Sequence, residues 1–464
     1  MTAPKKSSER TIGSLSEGSD MTERSRPRRS VSKQLRRRSL SGKRVIFSGN
    51  PFSGHFFIIL ILGVLSAIGP FSIDMYLPGF PDIAKDLHTT VAKVTLSLSS
   101  FFIGISVGQF LYGPLLDRFG RKKPLYLGIS LYLVASAACA MARSVELLIT
   151  LRLFQALGAC ACLVASRALV RDLFPVEQNA RVFSQLMLVI AVSPIIAPTL
   201  GGYLAAGLGW KYIFITLTFI AALILVAVHF ALPEGRQPDK TLSLRPGPIT
   251  SGFWNVFKEP QFYTYAFTGA IASAGLYAYI AGSPFVFMDL FKVSERQYGW
   301  IFAVVALGLI GCSQLNSVLL RTYKSQQIIK VALICQSLIA ILLFAGSFMG
   351  WLGLFGSITF CFLFLCCQGC VFPNSSALSL ALFGRNAGTA SALLGGIQMS
   401  IGAFASALVS FLNNHTALPM TGVMACCALT ALTVLILGTQ SIRRRTVASP
   451  SKVTEEASDM IQSS

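Results

Sequence analysis

The first charge met in the apolar run that begins at Phe56 is Asp74. A carboxylate near one end of such a run is costly when charged, usually faces a cavity, and can take up and release a proton. Further on, Arg152 and Gln155 stand at i and i+3 in LLITLRLFQALGAC, which gives one face of a helix a polar character. A cation and a carboxylate set into apolar helices are the groups from which proton relays and substrate paths are made. Each has a plainer alternative. Asp74 lies about 27 Å of helix beyond Phe56 and could mark a helix that has simply reached the surface, while Arg152 could snorkel to an interface. Met75, Tyr76 and Leu77 carry the apolar pattern past Asp74 to Pro78, so we read Asp74 as a cavity carboxylate in the outer half of a first membrane helix. Pro70 removes the helical donor to the Ser66 carbonyl and predicts a bend just before it.

The elements that must position these groups follow from composition. Hydrophobic residues make up 53% of the chain and charged ones 12%, which excludes an ordinary soluble protein and leaves an all-α integral membrane protein. Twelve apolar spans are predicted, at 56–78, 94–116, 124–142, 147–169, 184–206, 210–232, 261–287, 299–320, 328–347, 352–377, 387–411 and 417–440. The net charge of +20 could otherwise mean nucleic acid. Here the basic residues gather in the tails and alternate loops, which makes them a topology signal, with both termini cytoplasmic and no nucleic-acid partner. Residues 1–50 hold 13 Lys or Arg against 4 acids, predicting a disordered basic tail able to meet anionic lipid, with no cleavable signal peptide. The expected organisation is a tail at 1–52, a six-helix bundle at 53–232, a cytoplasmic loop at 233–260, a second bundle at 261–440 and a tail at 441–464. A shift of 204 residues lays Gly308, Leu319 and Leu320 over Gly104, Leu115 and Leu116, as two pseudo-symmetric halves require. The eleven cysteines lie in apolar runs; the cluster Cys361, Cys366, Cys367 and Cys370 reads as helix packing, with no metal.

Three further stretches carry motifs. GPLLDRFGRKK (113–123) combines Gly113 and Pro114, read as close-packing residues near a helix end, with Gly120, read as a tight turn, and with the charges of Asp117, Arg118 and Arg121. It resembles the signature between the second and third helices of the major facilitator superfamily, G-x-L-x-D-R-x-G-R-[KR]-x-[KR], departing at Pro124. The resemblance implies that Asp117 and Arg121 belong to a latch that breaks and reforms between access states. Arg152 to Gly158 is similar to the superfamily's R-x-x-Q-G-x-G, with Ala156 at the first glycine, and this implies a part for Arg152 in proton coupling. SPIIAPTLGG (193–202) is similar to the antiporter motif G-x-x-x-G-P-x-x-G-G, with Ser193 and Ala197 in place of its first two glycines; Pro194, Pro198, Gly201 and Gly202 are expected to bend the fifth helix and bring it close to a neighbour. IDMYLPGFP (73–81) resembles a first-helix segment of the Bcr/CflA drug-resistance transporters, with Gly79 where Ala is usual.

No acid falls inside the predicted spans of the second half, so its contribution is expected to be a wall of aromatic and amide groups. Candidates are Tyr265, Tyr277, Phe285, Gln314, Gln368 and Gln398, joined by Tyr76 and Gln155 from the first half; taken singly, such a residue is more often core or helix packing than cavity wall. The chain lacks the G-x-x-x-x-G-K-[ST] phosphate loop, so the expected energy source is the proton gradient, with no cofactor. The resemblance implies a monomeric exporter of small amphipathic drugs and antibiotics in exchange for protons, in a bacterial inner membrane. The alternatives are a proton-coupled importer of a metabolite and a non-transporting receptor. A membrane enzyme lacks a nucleophile, paired-acid or His/Cys set to support it.

Overall fold

The computed structural model describes residues 51–235, 238, 246–383 and 387–448. The basic tail 1–50, the charged stretch 239–245 of the central loop, Arg385 and the end of the chain from 449 lie outside the described residues. Among those described, twelve helices are long and apolar enough to cross a membrane. They run over Phe56–Asp86, Val91–Phe119, Lys122–Ala140, Val145–Leu173, Arg181–Leu208 and Lys211–Ala231 in the first half. Pro260–Leu290, Glu295–Leu319, Ser325–Phe348, Leu354–Leu380, Ala387–Phe411 and Leu418–Arg444 make the second. With an even number of crossings both described ends fall on one side, here the tail side; the opposite face is the far side.

The chain is an all-α protein of two six-helix halves, and their kinship shows in details that the shift of 204 residues relates. Among the described non-glycine residues with positive φ are His88 (50°) and Lys292 (55°), 204 positions apart in equivalent far-side turns. Gly104 packs on Ala156 and the Leu153 carbonyl, between the second and fourth spans; Gly308 packs on Phe362 and Cys366, between the eighth and tenth. Both leading spans break near the far side. The first is regular to Asp74 and resumes as a 3₁₀ turn at Leu77–Gly79 and a short helix, Phe80–Asp86; the seventh is regular to Pro284 and continues as a π-helical segment, Phe285–Leu290. The seventh span thus extends beyond its predicted end and takes in Asp289, half-buried at its far-side tip.

The described residues from His55 onward form one compact unit, and its halves meet along two symmetry-related seams, the second span on the eleventh and the fifth on the eighth. Hydroxyls fasten the first seam. Ser99 donates to Ser406 at 2.8 Å, Ser106 donates to the Gly396 carbonyl at 2.9 Å and pairs with Ser400 at 2.7 Å, and Ser410 donates to the Ala92 carbonyl at the far side. The segment between the sixth and seventh spans, predicted as a loop, holds the helix Pro246–Phe257. Its Val256 is buried with Phe262, Ala390 and Leu393, and Phe253 lies 5.3 Å from the Phe110 ring, so the helix crosses the tail-side end of the same seam.

Candidate functional site

The regular first helix does end at Asp74, but not at a surface. Asp74 is 5% exposed, and Met75, Tyr76, Leu77 and Phe80 beyond it are fully buried. Among the described residues it is the one buried carboxylate, and no cation lies within ion-pair distance of it. It sits within electrostatic range of Tyr277 and Tyr279 from the seventh span and Tyr298 from the eighth, phenols of the second half. Ser283 bonds the Tyr298 hydroxyl at 2.8 Å, whereas the buried Tyr279 hydroxyl has no partner.

Arg152 is fully buried, which sets aside the snorkelling alternative. Its Nη1 donates to the Gln155 side-chain oxygen at 2.6 Å and its Nη2 to the Ser72 carbonyl at 3.0 Å, while Nε has no partner. The guanidinium carbon stands 4.2 Å from the Phe101 ring centre and 4.6 Å from that of Tyr76. Ser72 is among the last residues of the regular first helix, whose terminal carbonyls lack intrahelical donors and carry the negative end of the helix dipole. Arg152 therefore supplies both a donor and a countercharge to that helix end. The network continues from Gln155 Nε2 to Ser136 at 2.7 Å, and Tyr132 ties the same third span to the Ser72 hydroxyl at 2.6 Å. Tyr76 is anchored through its hydroxyl to Ser97 at 2.9 Å.

A neutral counterpart occupies the second half. Gln368 donates to Ser273 at 2.9 Å and accepts from Gln336 at 3.1 Å, and Gln398 donates to Ser273 at 3.3 Å. Spans seven, nine, ten and eleven are thus linked by amides, as spans one, three and four are linked around a guanidinium. Tyr277 stands between the two networks, its ring 4.7 Å from Phe102 of the second span and its hydroxyl 3.8 Å from the Met399 sulfur. Gln314 does not join them: it is exposed on the eighth span. Tyr265 is buried in a separate cluster with Ile329 and Leu333, and Phe285 lies at the far side, 6.1 Å from the His415 ring. Ser136, Ser273, Tyr279, Ser283, Tyr298 and Gln336 were not anticipated, because a serine, tyrosine or single amide within an apolar span carries no spacing signal.

At the tail side, Arg121 joins two acids, Asp117 at 2.8 Å and Asp172 at 2.6 Å, all within the first half. Burial works against its charge, but the hydrogen bonds and charges of Asp172 and Asp117 outweigh it and hold Arg121 above its usual range. Asp172 was missed; it is the lone acid in the basic stretch 167–175. Gly120 has φ +82°, the turn conformation expected of it, and Gly235 of the central loop packs on Arg121. Arg118 lies against the Phe119 ring at 5.9 Å. The close packing expected at Gly113 is absent, for a Cβ there would meet nothing within 4 Å. In the fifth span, a Cβ on Gly201 would strike the Met75 carbonyl, next to Asp74, and one on Gly202 the Glu295 carbonyl of the eighth span. Pro198 presents its carbonyl to Gly299, where a Cβ would come within 2.6 Å. Pro194, four residues earlier, is half-buried.

Comparison with known proteins agrees with this architecture. Residues 62–407 match the family model of the Major Facilitator Superfamily. An uncharacterized MFS-type transporter of Bacillus subtilis is 33% identical, over 79% of this chain and 91% of its own length. A bicyclomycin resistance protein homolog of Haemophilus influenzae is 31% identical, over 84% of this chain and 98% of its own. Among solved structures, a D-xylose–proton symporter superposes with a TM-score of 0.65 at 13% identity, covering 82% of this chain and 97% of that one, a likeness of fold.

Proposed function

Since the chain belongs to the major facilitator superfamily, we propose that it exports small amphipathic molecules, antibiotics among them, from the cytoplasm in exchange for protons. The observation that carries the reading is Asp74: a buried carboxylate without a countercharge, at the break of the first span, within electrostatic range of tyrosines of the opposite half. The similarity to a bicyclomycin resistance protein homolog supports the substrate class, and the Pro/Gly-rich fifth span supports export over uptake. Among the described residues, no charged side chain joins the Gln368–Ser273 network, which suits uncharged or weakly charged guests. In this scheme Asp74 holds a proton in one access state and gives it up when substrate enters or the opposite side opens. Each occupant then favours a different state, since only differential affinity moves the equilibrium between states. Arg152 stays charged throughout and holds the end of the helix that bears Asp74. Both termini are cytoplasmic, and the protein works as a monomer, without a cofactor, in a bacterial inner membrane.

The test is Asp74→Asn, nearly the same in volume but unable to exchange a proton. Transport driven by a pH gradient should vanish while neutral substrates still bind and exchange downhill. Proton release on substrate addition to purified protein should be lost as well; release at the wild-type level would end the proposal. Flux in vesicles of known orientation separates export from proton-coupled uptake.

A further inference from the structure

Away from the polar networks, a cavity of about 510 Å³ lies between the first, fifth and sixth spans. Its rim is made by Leu188, Val192 and Ile196, exposed on the outer surface of the fifth span, and its floor by the buried Ala67, Ile68, Ser193 and Leu217. The volume falls in the range of pockets that take drug-sized ligands. Elsewhere glycines of the second half pack closely, Gly282 on Met420, Gly402 on Tyr277 and Gly438 on Thr264. In the first half, by contrast, a Cβ at Gly69, between the lining residues Ile68 and Phe71, would meet nothing within 4 Å.

One polar group lines it. Ser193 is 1% exposed, and its hydroxyl has no hydrogen-bond partner. Serines within these helices commonly bond a carbonyl one turn back, as Ser66 and Ser72 do; Ser193 does not, although Pro194 leaves the Ile190 carbonyl without its helical donor. A buried hydroxyl without a partner is unfavourable, and a hydrogen-bonding ligand would relieve it. Ser193 also stands where the antiporter motif has glycine. No charged side chain lines the cavity, which excludes an ionic guest. A lipid acyl chain would fill the space but leave the hydroxyl unbonded.

We propose that this cavity is a second binding site, reached from the membrane, for an uncharged and mostly apolar molecule of about three fused rings bearing one hydrogen-bonding group. The inference concerns binding and stands whether or not Asp74 carries protons.

The experiment titrates the full chain in lipid nanodiscs with 1-aminoanthracene and with anthracene, reading the saturable fluorescence change against empty nanodiscs of the same lipid. 1-Aminoanthracene should bind more tightly than anthracene. Ser193→Ala should weaken it by about three- to tenfold, to the level of anthracene, and leave anthracene itself unchanged. Val192→Trp should abolish saturable binding of both, with Ile196→Trp in its place if Val192→Trp lowers the unfolding temperature. Because Val192 lines this cavity and not the site at Asp74, the same filling variant separates the two. No saturable component, equal affinities unaffected by Ser193→Ala (the mark of an acyl-chain crevice), or binding that survives a filled cavity would each overturn the proposal.

Discussion

The guanidinium of Arg152 reaches the carbonyl of Ser72 at 3.0 Å, two residues before Asp74 on the same helix end. The cation of the fourth span and the carboxylate of the first are thus joined through backbone and not by an ion pair. The cation's remaining neighbours are an amide and aromatic faces, so it can stay charged whatever the state of Asp74.

Arg152→Lys tests that arrangement. Lysine keeps the charge but lacks the planar fork that bonds Ser72 and Gln155 together while lying against Phe101 and Tyr76. Each charged hydrogen bond lost should cost about 1.5–3 kcal/mol, read as a lower unfolding temperature, and proton-driven transport should fall with it. Full stability and full transport in the lysine variant would show that any cation suffices.

The two acids on Arg121 should prove unequal. Asp117 is half exposed and Asp172 largely covered, so Asp117→Asn should cost less than about 1 kcal/mol and Asp172→Asn about 3 kcal/mol or more. Denaturation of the purified variants gives this order. The latch role proposed for Asp117 predicts a further effect, slower exchange between access states in a normally folded protein, measurable by fluorescence transfer between labels on the two halves.

Gly201 and Gly202 separate two kinds of contact. Gly201→Ala pushes on Met75 in its own half and should lower stability by about 1–3 kcal/mol. Gly202→Ala pushes on Glu295 across the seam and should shift the distribution between access states, opening the far side. Labels across the far side read the shift, and an unchanged distance distribution in Gly202→Ala would count against a seam that separates there.

Ser99 and Ser406 supply a measurable link between the halves. A double-mutant cycle with alanine should give a coupling of about 0.5–1.5 kcal/mol in the state with the far side closed. In a variant locked with the far side open it should disappear.

The spans were legible because each needs some twenty apolar residues and nothing else in a chain of this kind does. Asp74, Arg152 and Gln155 stood out for the opposite reason, as polar groups in expensive places. The helix Pro246–Phe257 escaped because it is short and begins between prolines, with apolar residues that gain their meaning only against Phe110 and Leu393 of other spans. Gln314 shows the same limit from the other side. One amide in a span is a candidate for the interior, but only its phase against neighbouring helices decides, and that phase turns it outward. Gly113 fits a motif without making the contact expected of it, while Gly104 and Gly308, found by the repeat, do pack closely.

That Asp74 is the one buried carboxylate among the described residues, while Arg152 need not titrate, also has an electrical meaning. With one proton exchanged for one neutral molecule, each turnover carries a single net charge across the bilayer. A potential of 100 mV then adds about 2.3 kcal/mol to the drive, against about 1.4 kcal/mol for one unit of pH difference. Export of a neutral compound should therefore persist in vesicles without a pH gradient when voltage alone is imposed, and a monovalent cationic compound should lose that response.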